Sequence, residues 1–126
     1  MGFAFSFKKQ ELPRSNYSMN GSQMSIMLEV MRAVGAIREQ GSWPDWTILH
    51  EGVTHDKFRS SGNHHVTPTE CLLIASKLRA GLEDGTATTT LTFFDDAPLS
   101  NEGRDWIEEW ADYNERASAA GGYRVR

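Results

Sequence analysis

All four histidines and the single cysteine of the chain fall in one stretch, LHEGVTHDKFRSSGNHHVTPTEC, residues 49–71. Imidazole, thiolate and carboxylate are the donors that zinc prefers. His50, His55, His64 and His65, with Glu51, Asp56, Glu70 and Cys71 nearby, therefore make a candidate metal site. The spacing argues against it. His50 and His55 stand five residues apart, whereas two histidines on one helical face need a separation of four. Gly52 and the β-branched pair Val53-Thr54 also disfavour a helix there. His64 and His65 are adjacent, so on an extended chain they point to opposite sides. Cys71 falls one turn into a helix, where cysteine commonly acts as a small apolar residue, although a helix N-terminus would lower its pKa somewhat. No third group completes a Cys/His nucleophilic pair. The turn dipeptide Gly62-Asn63 precedes a helix start that could hold an anion, but neither a glycine-rich loop nor a lysine accompanies it.

A second constellation is acidic. Asp95, Asp96, Glu102, Asp105, Glu108, Glu109, Asp112 and Glu115 lie within one segment, with Arg104 as its only base. On a helix Asp105, Glu109 and Asp112 share a face, as do Glu108, Asp112 and Glu115. Like charges at these spacings weaken a helix slightly, so they do not serve its local stability. They suit a docking surface for a basic protein partner, with Trp106 and Trp110 as anchors on the neighbouring face. The alternative is a solvated face with both tryptophans in the core. Trp43 and Trp46, flanking Pro44-Asp45, pose the same choice between anchor and core.

Composition narrows the classes. The chain has 126 residues, enough for one domain spanning 1–126 with a core of its own. The net charge is −4. Residues 1–63 contribute +1 and residues 64–126 contribute −5. Nucleic-acid binders usually show a basic face, so this balance disfavours them. Lys8, Lys9 and Arg14 with Tyr17 form only a small basic-aromatic group. No apolar run approaches the length of a membrane helix, and the N-terminus lacks the pattern of a secretory signal. One cysteine without a signal points to a reducing cytoplasm.

The elements that must position these residues are legible in the pattern. FAFSFK alternates Phe3, Phe5 and Phe7 and predicts a strand, broken by Pro13 and the polar RSNYS. NGSQMSIMLEVMRAVGAIREQ predicts a helix, with Met24, Met27, Leu28, Met31, Val34 and Ile37 on its stripe, a cap at Asn20 or Ser22, and an end at Gly41 and Pro44. Three methionines on that stripe read as core or as an adaptable binding surface. WTILHEGV suggests a short strand. Thr67, Pro68 and Glu70 predict a capped helix start, with Leu72, Ala75, Leu78 and Leu82 apolar and Gly85 as a left-handed stop. TATTTLTFF predicts a strand, DDAPLSNEG a turn, and residues from about Ser100 to Ala119 a helix with Trp106, Ile107, Trp110, Ala111 and Tyr113 inward. GGYRVR predicts a terminal strand. The sum is an α+β domain with the terminal strands in one small sheet and three helices packed on it.

GNHHVTPTECLLIASKL and WIEEWADYNERASAAGGYRV resemble segments of a group of small actinobacterial and phage proteins. That group shows a turn leading to an A-x-x-L helix and an acidic aromatic helix ending in a Gly-Gly-aromatic strand. The resemblance covers about half the chain, and its motifs are weakly specific. This chain departs from the group in the Thr-rich segment and in the long WPDWTILHEGVTHDKF insertion. The resemblance implies the fold and a bacterial or phage setting, not a reaction. By analogy of size and charge it suggests an accessory protein that binds and inhibits a host factor, including defence systems. No catalytic constellation in the sequence reaches the specificity that chemistry demands. The expectation is a non-enzymatic binding protein without cofactor, acting through Asp105, Glu108, Glu109, Asp112, Glu115, Trp106 and Trp110. The alternative is a zinc-type protein using His50, His55, His64 and His65.

Overall fold

Alternation of Phe3, Phe5 and Phe7 gives β1 (Gly2–Phe7) one aromatic face. The computed structural model describes residues 2–8, 16–38, 53–58, 64–94 and 100–125. In it β1 pairs antiparallel with β2 (Asn16–Asn20) on one side and with β6 (Tyr123–Val125) on the other. A three-residue strand, β5 (His64–Val66), adds to β6 and completes a four-stranded antiparallel sheet of order β2-β1-β6-β5. The first and last strands are thus neighbours. Two further strands of two residues each, β3 (Ile37–Arg38) and β4 (Val53–Thr54), pair in parallel. A 3-10 turn, His55–Phe58, follows β4 and buries Phe58.

The helices are α1 (Gly21–Ala33), α2 (Pro68–Asp84), α3 (Thr86–Leu91) and α4 (Ser100–Ser118), and the fold is α+β. Asn20 caps α1: its side chain accepts from Gln23 N at 2.8 Å, and Gln23 answers by accepting from Asn20 N. Thr67 and Glu70 do the same for α2, with Pro68 in the first turn. α4 lies on the aromatic face of the sheet. Phe5 meets Trp110 and Phe7 meets Tyr113, each at 4.8 Å between ring centroids. Tyr123 joins from β6, 5.8 Å from Trp110. Such ring pairs add roughly 0.5–1.5 kcal/mol each beyond the area they bury. Two polar anchors fix the cluster. Trp110 Nε1 donates to Met31 Sδ at 3.4 Å, and the fully buried Asn114 donates to Trp110 O while accepting from the Tyr123 hydroxyl at 2.8 Å. Met24, Met27 and Met31 are all fully buried, so the methionine stripe is core.

Four expectations are corrected. The Thr-rich segment is helical over Thr86–Leu91, not a strand. Gly85 at φ +86 turns the chain, and Asp84 accepts from Thr86 N at 2.9 Å, which starts the new helix. The threonine hydroxyls then find partners inside the segment: Thr88 bonds Gly85 O, and Thr90 bonds Thr86 O at 2.9 Å. Ala87 and Leu91, one turn apart, enter the core. Packing has overridden β propensity.

The first helix ends at Ala33, well before Gly41. Gly35 adopts φ +82, its N–H bonds Arg32 O, and Ala36 N bonds Met31 O at 2.8 Å. This is a Schellman stop, and Ile37 passes into β3. Residues 16–18, expected as part of a break, belong to β2, because Tyr17 and Met19 alternate with exposed Asn16, Ser18 and Asn20. Leu72, placed on the apolar stripe of α2, is 54% exposed; Cys71, Ile74, Ala75, Leu78 and Leu82 form the inner face. The expectations for residues 46–52 and 95–99, and for Trp43 and Trp46, lie outside the described residues.

Candidate functional site

α4 separates its residues cleanly. Ile107, Trp110, Ala111, Tyr113, Asn114 and Ala117 are buried, while Glu102, Asp105, Glu108, Glu109 and Glu115 are exposed. Trp110 therefore belongs to the core and offers no surface to a partner. Trp106 is only partly buried and stays at the rim.

The acids are not equivalent. Glu108 pairs with Arg104 at 3.4 Å and Asp112 with Arg116 at 2.8 Å, both one turn along α4. Glu115 pairs with Arg79 of α2 at 3.1 Å. These pairs are exposed or only partly buried and contribute roughly 0–1 kcal/mol each, but they match three of the five carboxylates expected to meet a partner. Arg116 also lies over the Phe7 and Tyr113 rings, at 5.6 and 5.5 Å. Asp105 has no ion pair among the described residues. Glu109 turns instead toward Tyr17 of β2.

That contact opens a site the sequence did not reveal. Tyr17, Trp106 and Glu109 line a groove of about 600 Å³ together with Phe5, Ser6, Ser18, Gln23 and their neighbours. Burial, the charge of Glu109 and a hydrogen bond to it raise the Tyr17 pKa well above the ordinary phenol value, against a smaller opposing effect of Trp106. Tyr17 is therefore a neutral phenol beside a carboxylate. A second groove of about 480 Å³ shares Ala4, Ser18 and Gln23 with the first and continues past Met19 and Asn20. The signal in sequence was the two-residue alternation in NYSMN, too short to distinguish from a polar linker.

The histidines are placed as follows. His50 lies outside the described residues, and His55 begins the 3-10 turn. His64 and His65 sit in extended β5, in register with Val125 and Arg124, so the strand sends them to opposite faces. His65 Nε2 lies 2.9 Å from Gly121 O, a structural contact at the end of α4. Among the described residues, no group of three or more His, Cys, Asp or Glu is arranged to hold a metal ion.

Cys71 is fully buried, its thiol 3.8 Å from Val66 O. Burial and the nearby Glu70 push its pKa up to about 12, the reverse of the lowering expected near a helix start. The thiol stays protonated and is no nucleophile. Glu70 itself caps Thr67 and receives Lys57 Nζ, which also donates to His65 O at 3.0 Å. Burial works to raise the Glu70 pKa, but these bonds and the Lys57 charge outweigh it, and the pKa falls below the usual value. The first turn of α2 thus has its Glu70 N–H taken by Thr67.

Comparison with protein-family models, curated proteins and solved structures gave no match. Among the described residues no helix is long and apolar enough to cross a membrane.

Proposed function

We propose that the protein is a non-enzymatic binding module that presents the Asp105 and Glu109 side of α4, with Trp106 beside it, to a basic surface on a partner protein. One observation carries this reading. The carboxylate of Glu109 and the indole of Trp106 stand together on a groove, while Glu108, Asp112 and Glu115 are already matched by arginines of the chain itself. A carboxylate beside an aromatic ring at a groove suits recognition of Lys or Arg, which combine a charged head with an apolar stem. The setting that fits the chain's size and acidity is that of a phage or mobile-element accessory protein inhibiting a host factor, such as a defence component, in the host cytoplasm.

The test is a pull-down from host lysate with wild type and with the double variant Asp105→Lys, Glu109→Lys. Wild type should retain a basic protein at low salt and release it as ionic strength rises toward ~0.5 M, where charges are screened within a few ångströms. The double variant should retain none. Equal capture by both proteins sinks the reading.

A further inference from the structure

We propose that β2 is a docking strand: an extended, basic segment of the partner pairs with its open edge and adds a fifth strand to the sheet. This rests on the acidic-face reading above and names the form of the ligand. β2 stands at the end of the sheet, and β1 is its only strand neighbour among the described residues. Every second residue of a strand at such an edge has an N–H and a C=O directed away from the sheet, available to another chain. Asn16, Ser18 and Asn20 are exposed, and the strand carries no lysine, proline or bulge of the kind that guards an edge. Asn20 N–H is taken by Gln23 Oε1, so the strand offers residues 16–19, roughly 13 Å of backbone.

The two grooves lie along this strip, sharing Ser18 and Gln23. Ser6, about nine-tenths buried with a hydroxyl that has no hydrogen-bond partner among the described residues, belongs to the first groove. Charge selects the occupant. Glu109 lines the groove and Asp105 sits one turn before it on α4. A second copy of this chain, carrying −4 overall, would bring its own Glu109 and Asp105 toward the same edge. An alternating Lys/apolar segment instead places its ammonium groups toward the carboxylates while its backbone pairs with β2.

The probe is a fluorescein-labelled peptide of four Lys-Val repeats, titrated against the full chain by anisotropy. Its controls are the Glu-Val counterpart and two versions N-methylated at every second residue, one in each frame. The Lys-Val peptide should bind saturably and the Glu-Val peptide should not. One methylated frame, lacking the N–H groups directed at β2, should bind at least ~10-fold more weakly, and the other should change little, since a lost set of charged-edge hydrogen bonds is worth a decade or more in affinity. Amide hydrogen exchange within residues 16–20 should slow in the complex. The Glu109→Lys variant should also lose at least ~10-fold. If the Lys-Val peptide binds and neither methylated frame matters, strand pairing is overturned while the acidic-face reading survives. If it does not bind, strand pairing is overturned, and the lysate experiment alone judges the acidic face.

Discussion

The two ends of one sheet are built on opposite principles. β5 has three residues and takes bonds from the 3-10 turn and from the end of α4. Lys57 reaches it from the 3-10 turn and bonds His65 O, the same lysine holds Glu70 at the start of α2, and the His65 ring meets Gly121 O at the end of α4. β2 has five residues, three of them exposed, and ends against a groove with a carboxylate on its rim. Both edges are polar in sequence. What separates them is whether the polar groups find partners within the chain. At β5 His65 does, through its carbonyl and its ring, and His64 and His65, the candidate ligands, serve as strand residues. At β2 Asn20 caps α1 and Tyr17 faces Glu109, but among the described residues no strand or other side chain bonds the outer edge.

The closed edge should break first and hardest at Gly122. Its φ is +86, and a Cβ there would meet Val66 O at 2.0 Å and His65 Nε2 at 3.0 Å. Neither the backbone of β5 nor the end of α4 can yield without loosening the other. Gly122→Ala should cost more than ~3 kcal/mol in a denaturant titration, combining left-handed strain with steric overlap. A loss below ~1 kcal/mol would show that β5 is not held tightly. Nothing comparable is expected of any substitution at an exposed β2 position.

Alkaline titration sharpens the same contrast. The chain has three tyrosines, and all have raised pKa values: Tyr123 chiefly by complete burial, Tyr113 by burial, and Tyr17 by burial together with Glu109. Cys71 is raised as well, to about 12. A group whose folded pKa exceeds its unfolded value stabilises the fold fully below the unfolded pKa and loses that contribution as pH climbs. Stability should therefore hold up to about pH 8 and fall above it, since the unfolded thiol and phenols titrate near ~8.5 and ~10. Tyrosinate absorbance should stay absent in the folded protein at pH 10. Tyr17 and Tyr113, which are less deeply enclosed, should ionise before the fully buried Tyr123, and Tyr17→Phe should remove part of that earlier phase. Simultaneous ionisation of all three on unfolding would erase the distinction between the edges.

Lys57→Met should have a smaller effect, about 1–2 kcal/mol, because Lys57 and Glu70 are both partly exposed and only the His65 carbonyl and the Glu70 carboxylate lose a donor. The same substitution should raise the Glu70 pKa toward its ordinary value. Since a depressed carboxylate pKa stabilises above the unfolded value and is lost as pH falls through the folded one, the variant should also lose less stability than wild type between about pH 5 and 3.

How much of this was legible depended on whether the decisive contacts were local. Thr67, Pro68 and Glu70 specify a helix start within four residues, and they form it. The Phe3, Phe5, Phe7 alternation and the Gly-Gly stop before Tyr123 were equally local. Thr86–Leu91 was misread because threonine suits strands by shape, while the outcome turned on Asp84, Gly85 and on burial of Ala87 and Leu91 against other helices. The α4 acids were visible, but Arg79, which pairs with Glu115, is thirty-six residues away in sequence. The Arg104–Glu108 and Arg116–Asp112 pairs stand at helical spacing and could have been read. The Tyr17–Glu109 contact could not, since it needs the sheet and α4 to be placed together first.

The open edge yields the smallest expected change in stability and the largest in binding. Ser18 is exposed at the centre of β2 and belongs to both grooves. Its partner across the ladder is Ala4, so its side chain carries little of the β1–β2 pairing. Ser18→Lys should therefore shift the unfolding midpoint by no more than about 0.5 kcal/mol, the usual range for a surface substitution. The same lysine introduces the guard that natural edges employ, a charge that a basic strand approaching along β2 must meet. Partner capture should fall with stability unchanged. A variant that melts early would mean that β2 is held by more than β1. A variant that is stable and still captures the partner would mean that the acids of α4 act without the strand.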